Sequence, residues 1–123
     1  MVSGKSKAAI EFLHFLADVS DQVVGTISCM KLAAWLGMTE AALQKRWIRR
    51  GPNVTWQVFV DELLSVLDAA QAQGQSLEEA IEWYLSTPIE RRGKRTADEL
   101  VIAGEAKWLR HQLVTYGIGR RAS

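Results

Sequence analysis

Residues 29–49, CMKLAAWLGMTEAALQKRWIR, decide how this chain is read. Ser28 can cap a short helix over Cys29–Leu36, because a hydroxyl at that position accepts from an unpaired first-turn amide. Gly37 stops that helix where a left-handed backbone would strain any side chain. Thr39 can then cap a second helix from Glu40 to about Arg49, which Gly51-Pro52 closes. Leu32, Ala33, Leu36, Gly37, Met38 and Leu43 fall at the offsets of a helix-turn-helix. Ala33 is small enough for the two helices to cross closely. Met38 and Leu43 bury against the first helix, and Trp47 extends that apolar side.

Working outward, Phe12, Leu16, Val19 and Val23 recur at helical spacing, with Glu11, His14, Asp18 and Asp21 opposite. They predict a first helix from about Lys5 to Val23, ended by Gly25. Downstream, Trp56, Phe59, Val60, Leu63, Leu67 and Ala70 share one face of a long helix from about Thr55 to Gln73. Ser76-Leu77-Glu78-Glu79 and Thr96-Ala97-Asp98-Glu99 are capping boxes, in which hydroxyl and carboxylate each satisfy the other's end-of-helix amide. The first opens a helix to about Leu85, before Thr87-Pro88. The second opens a short helix to Ala103, stopped by Gly104. A last helix, Glu105 to Tyr116, carries Leu109, Gln112, Leu113 and Tyr116 on one side. The expected fold is all-α, a small helical bundle of seven helical segments and no sheet. Its helix-turn-helix region spans 1–74 and a second helical segment spans 75–123.

Net charge is only +1 over 123 residues, yet the charges are segregated. Residues 28–51 carry Lys31, Lys45, Arg46, Arg49 and Arg50 against Glu40 alone. Residues 52–87 carry no base and six acids. Residues 90–95 turn basic again with Arg91, Arg92, Lys94 and Arg95 against Glu90. Such blocks suit a molecule with one face for an anion, although solvated helix faces also produce them. In a helix-turn-helix the start of the second helix faces base edges in the major groove. Thr39, Glu40 and Gln44 are therefore the expected base contacts, Gln matching adenine and Glu a cytosine amine. Lys45, Arg46, Arg49 and Arg50 are the expected phosphate contacts. The competing reading is a helical hairpin that never meets DNA.

The C-terminal third carries a second pattern. Trp83-Tyr84-Leu85-Ser86-Thr87-Pro88 ends a helix, and Gly93-Lys94-Arg95-Thr96-Ala97-Asp98-Glu99-Leu100-Val101 turns and restarts one. Over about residues 80–119 this resembles the toxin-binding domain of the Xre/MbcA/ParS antitoxins, with Thr87, Pro88, Gly93, Arg95, Thr96 and Leu100 in matching order and spacing. Ala97 stands where that family usually has Pro, Ile89 where Asn is common, and Arg91-Arg92 where apolar and Gly residues are more frequent. The resemblance implies a dimeric type II antitoxin that represses its own operon and neutralises a RES-domain toxin that consumes NAD. It implies an operator DNA and a cognate toxin as partners. Arg91, Arg92, Lys94, Arg95, Tyr116, Arg120 and Arg121 are then the expected toxin contacts, since forked guanidinium donors match carboxylates in a cleft. The alternative is a solvated turn whose arginines stack on Trp83 or Trp108.

Catalysis has no candidate constellation: two His and one Cys are too few and too dispersed for a nucleophile or metal site. No cofactor is expected. Glu11-xx-His14 has half the spacing of a di-iron set without a second copy, and reads as a polar surface pair. Trp35, Trp56 and Trp108 are expected in the core, Trp47 in the core or against a phosphate backbone. Phe15 reads as an exposed aromatic or a dimer contact. A single cysteine, no secretory h-region and no membrane-length apolar run place the expectation in the cytoplasm, off the membrane. Besides the antitoxin reading, a stand-alone helix-turn-helix transcription regulator and a structural helical interaction module stay open.

Overall fold

A broad apolar face on one helix organises the molecule. In the computed structural model, which describes residues 4–21 and 25–117, seven α-helices are present. They are α1 (Gly4–Val19), α2 (Cys29–Leu36), α3 (Glu40–Ile48), α4 (Trp56–Gln71), α5 (Leu77–Ser86), α6 (Ala97–Ile102) and α7 (Ala106–Tyr116). On α4, Phe59, Val60, Leu63, Leu64, Val66, Leu67 and Ala70 are all buried, more than the single stripe the sequence predicts. The reason is its position: α5, α6, α7 and the strand before α2 all pack against it. Fully burying such side chains contributes about 1.5–3 kcal/mol each.

The caps form as expected. Ser28 and Thr39 each accept an amide of the following turn, and both capping boxes close reciprocally at Ser76–Glu79 and Thr96–Glu99; Thr55 caps α4 in the same way, which the sequence reading does not assign. Gly37 lies at φ 75°, ψ 28°, the left-handed conformation that ends α2.

Four features differ from the sequence reading. The first helix stops at Val19, not Val23, and a short ladder follows: Ser20–Asp21 (β1) pairs antiparallel with Thr26–Ile27 (β2). The periodicity of Phe12, Leu16 and Val19 therefore does not continue as helix, and Val23 lies outside the described residues. Phe15 is fully buried, meeting Phe12 and the edge of Trp35 with ring centroids 5.6 and 5.1 Å apart. Trp35 in turn is 41% exposed, its indole donating to Asp18 at the surface. Finally, the core does not divide at Gly74. Leu32, Leu43, Leu67, Tyr84, Leu100 and Leu113 belong to one continuous cluster, so α4 is as much the foundation of residues 75–117 as of the helices before it.

Polar ties reinforce that union. Glu11 of α1 accepts from Gln71 Nε2 at 2.9 Å and from the Leu77 amide at 3.0 Å, pinning the α4–α5 turn. Trp56 donates to the Ile27 carbonyl at 3.0 Å, holding the start of α4 to β2. Glu11 is thus a structural acceptor, while His14 stays exposed.

Candidate nucleic-acid interface and partner face

The two cationic pairs of α3 and the turn that follows it point in different directions. Lys45 and Arg49 are four residues apart and exposed, as is Gln44, and none of the three has a side-chain partner among the described residues. Arg46 instead turns into the bundle. Its Nε sits 3.0 Å from each carboxylate oxygen of Asp98 on α6, and its Nη1 donates to the Ala42 carbonyl at 3.1 Å. Arg50, whose side chain is only 10% exposed, pairs with Glu62 of α4. Its second guanidinium nitrogen reaches the other carboxylate oxygen at 3.4 Å. Two of the four arginines and lysines expected at phosphates are therefore committed to the interior. Helix geometry explains why. At about 100° per residue, Lys45 lies about 160° from buried Leu43, whereas Arg46 lies about 60° from it.

Thr39 is exposed at the N-cap, where its hydroxyl oxygen accepts the Ala42 amide at 3.0 Å and its own proton stays free to donate. Glu40 is exposed in the first turn of α3. Trp47 is half-buried and donates to the Val54 carbonyl at 2.8 Å, which assigns its polar atom to the fold. Cys29 directs its thiol at the Glu40 carbonyl; burial, then the Glu40 charge, raises its pKa, so the thiolate is disfavoured.

Beneath α3 lies a polar cluster that the sequence reading missed. Asp98 is 7% exposed, and Tyr84 beside it is 1% exposed with no partner for its hydroxyl among the described residues. Burial, with the Asp98 charge adding to it, drives the Tyr84 phenol well above its ordinary range, so it stays neutral. Asp98 sits in the first turn of α6, where helix amides also favour a negative charge. The only signal in the sequence was an acid beside the capping pair, and many exposed helices have one.

The basic turn is a built structure too. Ile89 bridges Arg95, the Ile89 amide donating to the Arg95 carbonyl at 2.9 Å. Gly93 (φ 68°) and Lys94 (φ 63°) reverse the chain, Lys94 at a cost that glycine would avoid. Glu105 gathers two arginines. Arg92 Nε lies 3.2 Å from one oxygen without hydrogen-bond alignment, and Arg95 Nη2 donates to the other at 3.2 Å. Arg92 also stacks 4.1 Å from the Trp108 ring centroid, and Arg91 rests 4.7 Å from that of Tyr116. Stacking on Trp108, the alternative weighed from sequence, therefore occurs. Lys94 is exposed and unpaired among the described residues. Arg120 and Arg121 lie outside the described residues.

Arg91 and Tyr116 border a cleft of about 520 Å³ between α5, the 89–95 turn and α7. Among the described residues no group of His, Cys, Asp and Glu could hold a metal ion, and no helix is long and apolar enough to cross a membrane. Comparison of the chain with family models, curated proteins and solved structures gives no match.

Proposed function

We propose that this chain is a DNA-binding antitoxin: α2 and α3 engage an operator as a helix-turn-helix, and the C-terminal helices and basic turn engage a toxin of the RES class. The observation that carries the DNA half is the outward stripe of α3. Gln44, Lys45 and Arg49 are exposed and without partners on the helix that follows the Gly37 turn. In this reading Thr39, Glu40 and Gln44 meet base edges, and Lys45 and Arg49 hold phosphates. Arg46 and Arg50 fix the helix to the bundle. The toxin half rests on the Thr87-Pro88 and Gly93–Leu100 pattern, with Arg91, Lys94 and Tyr116 as its accessible groups. We place dimerisation, autorepression and a cytoplasmic setting within the same proposal.

The test for the DNA half is anisotropy of a labelled duplex from upstream of the coding sequence, titrated across salt concentrations. Affinity should fall steeply with salt, and Lys45→Ala and Arg49→Ala should each lower the log–log slope by roughly one. A slope indifferent to both substitutions would remove α3 from the interface. The toxin half is tested by co-expression with a neighbouring RES-type reading frame. Growth rescue should weaken in the Arg91→Ala, Tyr116→Ala double variant; undiminished rescue would clear that face. Substitution is needed because a chain cut before Thr87 loses Leu100, Val101, Leu109 and Leu113 from the common core. A second reading, a regulator without a toxin, draws support from Arg92 and Arg95 both being engaged by Glu105. Absence of any such neighbouring frame would favour it.

A further inference from the structure

The cleft between α5, the 89–95 turn and α7 plays no part in the proposed DNA contact. Its size of about 520 Å³ falls within the roughly 300–1,000 Å³ of small-molecule sites. Ile89, Leu109 and Leu113 give it an apolar floor, and Trp83 and Tyr116 give it aromatic walls. Trp83 is 7% exposed and its indole N–H has no acceptor among the described residues, so the ring can shift without breaking a hydrogen bond to them. The rim is acidic. Glu79 is engaged in the Ser76 capping box, but Glu82 and Glu90 are exposed with no side-chain partner among the described residues. Among the described residues one cation reaches this space: Arg91, which has no ion pair among them and sits over Tyr116.

We infer that the cleft binds a lipophilic organic cation, a small molecule with a quaternary or protonated nitrogen among apolar or aromatic groups. The floor takes its hydrocarbon body, which gains by leaving water. Glu82 and Glu90 attract the charge, and the Tyr116 ring presents its electron-rich face to it. Arg91 already occupies that face, and such exposed contacts are weak, so the ligand takes its place. An anion of the same shape meets two uncompensated carboxylates instead. The inference shares Arg91 and Tyr116 with the proposed toxin face but does not rest on the antitoxin reading, since it uses only the geometry and charge of this cleft.

Two probes of nearly identical shape and opposite charge test it: tetraphenylphosphonium and tetraphenylborate, titrated calorimetrically into the full chain at low ionic strength. The phosphonium should saturate one site and shift the Trp83 indole resonance, and the borate should bind at least roughly tenfold more weakly. The Glu82→Gln, Glu90→Gln double variant should weaken the phosphonium by roughly tenfold, each exposed carboxylate supplying about threefold. Arg91→Gln should tighten it by about threefold, since a competing cation leaves. Far-UV circular dichroism should be unchanged in these surface variants. Equal affinity for the two ions, no phosphonium binding, indifference to the glutamine variants, or weaker binding in Arg91→Gln would each overturn the inference.

Discussion

The two cation-rich stretches of this chain, α3 with its following turn and residues 90–95, look alike in sequence and behave differently in space. Each has four Lys or Arg, at 45, 46, 49 and 50 and at 91, 92, 94 and 95. In the first, helical rotation deals them to opposite sides: Lys45 and Arg49 outward, Arg46 and Arg50 inward to Asp98 and Glu62. In the second, a tight reversal draws Arg92 and Arg95 onto one acid, Glu105, and leaves Arg91 on a ring and Lys94 in solvent. A run of like charges along a chain is thus not a patch on a surface. What decides is where the backbone sends each side chain and which acid lies there.

The contrast can be broken most sharply at Asp98. Removing a buried partner strands its ion, so Asp98→Ala should cost roughly 3 kcal/mol of stability by denaturant titration, the low end for buried pairs because Arg46 is partly exposed. A loss under about 1 kcal/mol would mean that Arg46 relaxes to water and that the pair does not tie α3 to α6. The outer pair should behave in the opposite sense. Lys45→Ala with Arg49→Ala should lower duplex affinity by at least about tenfold while stability changes by no more than about 0.5 kcal/mol. If stability dropped as much as for Asp98→Ala, the two stripes would not be functionally distinct.

Smaller effects sharpen the other side. Lys94→Gly, at φ 63°, should stabilise the basic turn by about 0.5–1 kcal/mol, measured as a raised melting temperature. A lowered melting temperature would show that the lysine side chain supports the turn. The smallest effect belongs to Tyr84. Its hydroxyl has no acceptor, so Tyr84→Phe should shift neutral-pH stability by no more than about 0.5 kcal/mol. Because burial raises the folded-state phenol, the folded chain keeps a proton that the unfolded chain, titrating near about 10, releases. Stability from this group is complete below pH about 10 and declines as pH rises further, and Tyr84→Phe should remove that part of the decline. Parallel alkaline profiles for the two proteins would refute this.

Much of the local structure was legible in the residues. Ser28 and Thr39 cap helices, Ser76–Glu79 and Thr96–Glu99 form boxes, and Gly37 takes its left-handed turn, because each feature is decided within a few residues of chain. Phe15 and Trp35 were misplaced for the converse reason. Which aromatic is covered depends on where α2 lies against α1, and periodicity within one helix says nothing of that. The short ladder of Ser20–Asp21 with Thr26–Ile27 was likewise hidden, two residues per strand giving no alternation to read. At the candidate interface, the residue types were legible and their commitments were not. Arg46 and Lys45 are neighbours with the same charge, separated only by rotation about the helix axis.

Except at the end of α1, the sequence by itself determined closely where helices start and stop, since caps, turns and apolar spacing act over distances shorter than one helix. Tertiary structure alone decided that α4 serves both halves of the chain and that Asp98 and Glu62 claim Arg46 of α3 and Arg50 just after it. It also decided that α5 and α7 leave an acidic-rimmed cleft between them. Those outcomes depend on pairings across dozens of residues. There, burial of apolar surface fixes the packing first, and the charges then settle with whatever partners it has brought near.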